Sequence, residues 1–323
     1  MNICFLDYTN FEYNGDDKYK SKLRGAETIL INLSNELINK GHNVTVYNNC
    51  PINSKNNWKN INSSFKNNVT FDVAISNADA NLFDHINAKK KFILSYSLQS
   101  IEKFIRKKQL FAYFKHRPKY ILIGEYHKKN RSKMLSLFGL DILNLGVDEI
   151  FIKAKLNNDI DPNQAIFTSR ADRNSDLLIN IWKDKIHPKF KKGKLLITPN
   201  DNKHLNFNIF ERKMESQRKL VEDLLKSKVF LVPGHKAELY CLAAEEAREL
   251  CIPIVTMGIG SLYERVEHGK TGFIAKNENE FASYTLELFN DETLWNQMRS
   301  NLIKIRGKSN WSDSTNNLLK IIS

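Results

Sequence analysis

At 323 residues the chain is long enough for two domains of roughly 150 residues, each with its own core. Hydrophobic residues make up 41% and charged residues 26%, with 13 Gly and 7 Pro, a balance that excludes disordered and fibrous chains. Lys and Arg number 49 against 36 Asp and Glu, and this net +13 points to phosphate-bearing partners without choosing among nucleic acid, nucleotide and anionic lipid.

The opening MNICFLDYTN lacks a basic stretch before its apolar residues, and no apolar run reaches the roughly 18 residues of a membrane span, so neither secretion nor spanning is expected. Within it, ICFLDY at 3–8 reads as a buried strand. From Gly25 the spacing of Ile29, Leu30, Leu33, Leu37 and Ile38 predicts a helix, stopped by Gly41. VTVYN at 44–48 returns to strand, which completes a βαβ unit and favours a parallel sheet. Further strands are predicted at 71–75, 92–96 and 120–123, which ends a first domain over 1–150.

The polar stretch around KLNNDIDPN predicts a linker over 151–163. A second α/β alternation fills 164–305, with strands at 165–169, 194–198, 228–232 and 252–256 and helices at 175–186, 209–226, 239–250, 279–290 and 292–305. A C-terminal helix is expected in 306–323, after Trp311. The predicted architecture is α/β, with two Rossmann-like domains facing a cleft and ligands near strand C-terminal ends. The four cysteines show no CxxC spacing and no zinc-ligand partners, so neither a disulfide framework nor a metal site is expected, and a reducing cytoplasm is the default compartment.

The basic charge is concentrated in residues 89–133, where fourteen Lys and Arg face only Glu102 and Glu125. Ile101, Phe104, Ile105, Leu110, Phe111 and Phe114 recur there at helical spacing, with Lys103, Arg106 and Lys107 on other faces. Such a helix either lies on an anionic membrane surface or packs its apolar face on the sheet with its charges solvated.

The segment from Val232 to Phe273 carries the most specific pattern: Pro233, Glu238, seven residues, Glu246-Ala247, the strand Pro253-Ile254-Val255, the glycines Gly258 and Gly260, and Glu264. It resembles the donor-binding segment of family 4 glycosyltransferases. The Gly25-Ala26-Glu27 helix start, Gly41-His42 before a strand, Leu145-Gly146-Val147-Asp148 and Trp311-Ser312 are similar to further motifs of that family, so the resemblance covers most of the chain. It implies a metal-independent, GT-B-like, retaining glycosyltransferase with no cofactor beyond a UDP- or GDP-type nucleotide sugar.

The physical chemistry of the segment is compatible with this. A helix starting just after Glu238 would aim the N–H groups of Tyr240, Cys241 and Leu242, and its positive dipole end, at a diphosphate. Glu246 lies roughly 12 Å from Glu238 by helical rise, so the two contact separate parts of an elongated ligand. By resemblance Glu238 meets the donor sugar, Glu246 the ribose, and Arg170 the diphosphate; Glu238 and Arg170 are the catalytic candidates. On spacing alone, Glu238, Glu245, Glu246 and Glu249 equally describe a solvated helix face. Gly25, Gly258 and Gly260 fit either turns or close backbone approach to a ligand.

Three departures from the family stand out. Its Lys-Gly a few residues after the Arg is replaced by Ser175-Asp176, so that either Arg173 substitutes for the Lys or the second cation is missing. Its His after the fourth strand is replaced by Ser95, Tyr96 and Ser97, with Tyr96 the acceptor-side candidate beside Gly25. The stretch between 200 and 228 looks too short for the family's further strand and helix, so the second domain is expected to be shortened.

The reading is a glycosyltransferase moving a sugar to a hydroxyl acceptor in glycan or glycolipid biosynthesis. It would be cytoplasmic, peripheral on the inner membrane face, with a lipid-linked acceptor if residues 89–133 bind anionic lipid. The alternative is a non-catalytic sugar-nucleotide or glycan-binding relative. A nucleic-acid partner is not expected, because the aromatic-basic motifs of such modules are absent.

Overall fold

The structure, a computed structural model, describes residues 1–17, 23–54, 57–64, 69–98, 100–156, 159–198, 205–213 and 215–323. Asn157 and Asn158 of the expected linker, and Gln99 within the basic stretch, lie outside the described residues. The chain forms two compact units, Met1–Gly146 with Trp311–Ser323, and Val147–Asn310.

In chain order the first unit contains β1 (Asn2–Leu6), α1 (Gly25–Asn39), β2 (Asn43–Asn48), β3 (Trp58–Asn60), α2 (Ile61–Ser64), β4 (Thr70–Asn77), β5 (Asn87–Leu94), α3 (Ile101–Arg106), α4 (Leu110–His116), β6 (Lys119–Leu122), α5 (Glu125–Asn130) and β7 (Leu140–Ile142). Its sheet has the order β3-β2-β1-β4-β5-β6-β7, with every neighbouring pair parallel. Central β1 sets Ile3 opposite Val44 on one side and Val73 on the other, and all three side chains are buried. A strand covered on both faces needs such a continuous apolar run. Helix α1 buries Ile29, Leu30, Leu33 and Leu37, whereas Ile38, placed on the same face by its spacing, is exposed.

The apolar periodicity of residues 101–114 does not form one helix. Lys108 adopts φ +53° and separates α3 from α4. Phe104, Ala112 and Tyr113 turn into the core, as the reading of an apolar face packed on the sheet expects, while Ile105, Phe111 and Phe114 stay exposed.

The second unit contains α6 (Glu149–Ile152), β8 (Asp161–Phe167), α7 (Ser175–Ile181), β9 (Lys194–Ile197), β10 (Ile209–Glu211), α8 (Gln217–Leu225), β11 (Ser227–Gly234), α9 (Leu242–Glu249), β12 (Ile254–Ile259), β13 (Gly272–Ile274), α10 (Glu278–Asn290) and α11 (Glu292–Ile305). Its strands run β10-β9-β8-β11-β12-β13, again all parallel. Ala165, Ile166 and Phe167 of β8 are fully buried between β9 and β11.

Two expectations are corrected here, and the C-terminal helix forms where it was expected. The ends of the expected linker are structured, because Asp148 caps α6 through Ile150 N–H at 3.1 Å and β8 begins already at Asp161. The stretch judged too short for a further strand and helix holds both, in β10 and α8, so the second unit keeps that element in abbreviated form. The last helix, α12 (Trp311–Ile322), groups with the first unit: Lys40 donates to Ser312 at 2.9 Å and Ser314 to the Asn144 carbonyl at 2.7 Å. Among the described residues no helix is long and apolar enough to cross a membrane.

Candidate functional site

In the second unit the strand order reverses between β8 and β11, and a doubly wound sheet opens a ligand crevice at the carboxyl ends of such a pair. The loop after β8 carries Arg170 and Arg173, and the loop after β11 carries Glu238. Glu238 is the centre of this group. Its Oε2 lies 3.4 Å from Arg173 Nε, and its Oε1 accepts the Cys241 N–H at 3.2 Å. Burial raises its carboxyl above the ordinary range, while Arg173, the Cys241 amide and Arg170 pull it back down.

The sequence placed the helix start just after Glu238, but α9 begins at Leu242, preceded by Cys241 with φ +61°. The Cys241 N–H is therefore already taken by Glu238, and the first turn leaves the N–H groups of Leu242 and Ala243 without helical partners. The Tyr240 side chain is buried under the Arg265 guanidinium, 4.0 Å from its ring centre. Burial pushes the Cys241 thiol far above its usual range, so it is no nucleophile.

The two arginines differ. Arg170 is exposed and binds both oxygens of Asp172 through Nε and Nη2, whereas Arg173 is nearly buried and joins Glu238 to Asp172. Arg173 thus holds the cation beside Glu238, whereas exposed Arg170 shares its Nε and Nη2 donors with Asp172 and keeps Nη1 for another acceptor.

The surrounding glutamates are not one solvated face. Glu245 is 1% exposed and binds Arg248 at 2.7 Å and Arg265 at 2.9 Å, while buried Glu249 accepts the Gly307 N–H at 2.7 Å. Arg265 also donates to the Tyr240 carbonyl at 2.8 Å, which fixes the turn leading into α9. Nothing in the sequence marked Arg265, which lies 20 residues from its partner. Gly260, at φ +78°, has a structural reason: a Cβ there would meet the His235 carbonyl oxygen at 2.4 Å and that of Glu238 at 2.7 Å. The close approach it permits is to the Glu238 loop, which Ser261 N–H also holds through the Glu238 carbonyl at 2.9 Å. Gly258, at φ +66°, faces Ile274 in the same way.

Burial, reinforced by the Asp148 carboxylate and opposed by Arg212, pushes the Glu246 carboxyl up to about 8. The folded protein keeps this proton until about pH 8, whereas an unfolded chain loses it near 4.5. Its contribution to stability is therefore complete below the unfolded value and is lost as pH rises towards 8. Glu246→Gln, neutral throughout, should gain in unfolding midpoint over the parent across that interval and level off above it. A difference independent of pH would refute the shifted proton.

The first unit has a corresponding switch point between β1 and β4. Asp7 follows β1, accepts from the Tyr13 hydroxyl and from Asn77 Nδ2 at 2.8 Å, and its carboxyl is raised by burial. Glu27, on the first turn of α1, is buried and holds Arg24 at 2.9 Å. Among the described residues the buried Tyr96 hydroxyl has no hydrogen-bond partner, and Asp7 and Glu27 act on it electrostatically. Gly25 opens α1 at an exposed position. The sequence flagged Tyr96 and Gly25 but missed Asp7, whose only signal was its place at the end of the first strand.

Residues 148–305 match the family model for glycosyl transferases group 1. No curated protein sequence matches the chain. Among solved structures, the fold is shared with sucrose-phosphate synthase from Thermosynechococcus elongatus, at 13% identity and TM-score 0.70 over 99% of this chain and 98% of that one. It is shared with Anabaena HepE in complex with UDP-glucose, at 12% identity and TM-score 0.71 over 100% and 99%. A glycosyltransferase from Rickettsia africae aligns at 12% identity and TM-score 0.67 over 99% and 98%.

Proposed function

We propose that this chain, which belongs to the group 1 glycosyl transferases through residues 148–305 and has the GT-B fold of two Rossmann-like units, moves a sugar from a nucleoside diphosphate to a hydroxyl acceptor with retention. The observation that carries the reading is the Arg173–Glu238 pair at the β8–β11 switch point, beside the first turn of α9. The UDP-glucose complex of the Anabaena protein supports a nucleotide sugar as the donor.

In this reading the bond between the anomeric carbon and the diphosphate oxygen breaks, and its electron pair leaves with the phosphate. The acceptor oxygen bonds to the carbon from the same face and passes its proton to the departing phosphate oxygen. Arg173, Arg170 and the α9 N–H groups meet the charge that develops there, so no metal is required for that task. Glu238 accepts hydrogen bonds from the sugar hydroxyls and Glu246 from the ribose.

A panel of nucleotide sugars, followed by thermal unfolding and by transfer assays with EDTA present, tests this. One donor should stabilise the protein, by about 2.7 kcal/mol at 100 times its Kd. Arg173→Ala should weaken that donor by a charge-assisted contact, about 1.5–3 kcal/mol, and Arg170→Ala by less because Arg170 is exposed and its charge is already shared with Asp172. Stabilisation without transfer would make the protein a non-catalytic relative, and no stabilisation by any donor would remove the reading.

The acceptor is then lipid-linked, and the enzyme works peripherally on the cytoplasmic membrane face. What supports this is exposed Ile105, Phe111 and Phe114 beside Arg106, Lys107 and Lys108. Sedimentation with vesicles should require anionic lipid, weaken with salt and fall on replacing Arg106, Lys107 and Lys108 with Glu. Equal binding to neutral vesicles, or none, would contradict it.

A further inference from the structure

We infer that the first unit carries a phosphoanion-binding pocket at the N-terminal ends of β5 and β6, distinct from the donor site and independent of the transfer reading. A cavity of about 490 Å³ opens there, lined by Lys90, Lys91, Lys115, His116, Arg117 and Lys119. Parallel strands place these residues at the opposite end of the sheet from Asp7, Asn77 and Tyr96, which follow or close their strands.

The charge there is incompletely balanced. With Lys89, six cations line the cavity, and four carboxylates answer them: Asp72 binds Lys89 at 2.8 Å, Asp84 binds Lys115 at 2.6 Å, Asp141 binds Lys119, and the main-chain carboxylate of Ser323 meets Lys90. Lys90 meets the main-chain oxygens of Ile322 and Ser323 in the same cavity. Among the described residues Lys91 binds no carboxylate directly; its ammonium lies 2.8 Å from His116 Nδ1, whose Nε2 is in turn held by Asp84 at 2.8 Å. Burial above all, and then the neighbouring Lys115, lower the Lys91 ammonium, and Asp84 only partly offsets them. Arg117 has no partner among the described residues, and its guanidinium is exposed at the rim.

A concave arrangement of point-charge ammonium groups with one free guanidinium fork fits tetrahedral phosphate oxygens. Phosphoryl groups could arrive on a soluble polyphosphate or on a lipid headgroup. The lipid source draws on exposed Phe111 and Phe114, which share α4 with Lys115 and His116.

Calorimetry with inorganic triphosphate separates the pocket from the donor site when performed in full-length protein carrying Arg170→Ala and Arg173→Ala. Adding Lys91→Gln with Arg117→Gln should weaken binding about tenfold or more, whereas Lys226→Gln with Lys304→Gln, exposed positions of the second unit, should leave it unchanged. In a second arm, the otherwise unmodified protein is sedimented with phosphatidylglycerol vesicles and with phosphatidylcholine vesicles. Loss of phosphatidylglycerol binding in the pocket variant, with triphosphate inert, would identify the headgroup as the source. Unfolding midpoints confirm that each variant is folded, and Arg117→Gln alone replaces the double variant if that one is not. No binding in either arm, or equal losses in pocket and control variants, would overturn the proposal.

Discussion

Replacing Glu238 by alanine is expected to slow transfer by about 10²–10³-fold, the loss typical of one preorganised polar contact to a reacting group. The fold should survive with a modest penalty. The carboxylate pairs with Arg173 and accepts the Cys241 N–H, so its removal costs about one capping interaction, roughly 1 kcal/mol, or about 2–4 °C in unfolding midpoint. Glu238→Gln separates the two roles: it keeps an acceptor for the Cys241 amide but loses the charge that holds Arg173. Steady-state kinetics with the donor found in the nucleotide-sugar panel provides the measurement. Parent-like turnover in a folded Glu238→Ala protein would remove this residue from the site and shift attention to Arg173 itself.

The largest loss of stability is expected at Glu245. Its carboxylate is buried and holds Arg265 and Arg248, and Arg265 is itself only 9% exposed. Glu245→Ala leaves the buried Arg265 guanidinium with only the Tyr240 carbonyl and the more distant Glu264 carboxylate at 3.6 Å, a change worth about 3 kcal/mol, the low end for breaking a buried pair. For the second unit, Val147–Asn310, unfolding by itself, the midpoint should fall by about 10 °C. Arg248, being partly exposed, can turn to water. Combining Glu245→Leu with Arg265→Met removes both buried charges and should recover most of the loss, because it is the unpaired ion rather than the missing pair that is costly. If the double variant is as unstable as Glu245→Ala, the damage lies in packing.

The strands that follow uninterrupted apolar runs were legible: β1, β2, β9 and β11 lie within a few residues of their expected places, because a central parallel strand must be apolar on both faces. The three-residue strands β3 and β7, WKN and LDI, carry no period long enough to read. Strand β10 was absorbed into an expected helix, since Ile209-Phe210 continued the apolar spacing of α8. The start of β5 was hidden by Lys89, Lys90 and Lys91, which a strand tolerates where its end opens into a cavity. At the site, the Glu238 and Glu246 pattern was legible as a motif, but the electrostatics were not. Arg265 reaches Glu245 only because the turn after β12 packs against the start of α9, and Arg173 proves closer to Glu238 than Arg170 only once the β8 loop has folded.

The placement of α12 gives the molecule an unusual order of completion during synthesis. A chain leaving the ribosome usually finishes its N-terminal domain first, at about 5–20 residues per second. Here residues 147–310 intervene before the residues that cover α1 appear. The second unit can therefore close its core while the first still lacks Trp311, Leu318 and Ile322, all buried in the finished protein. The nascent first unit carries an uncovered apolar surface for the whole time needed to make the second, and this interval is when a chaperone or a neighbouring nascent chain has access to it.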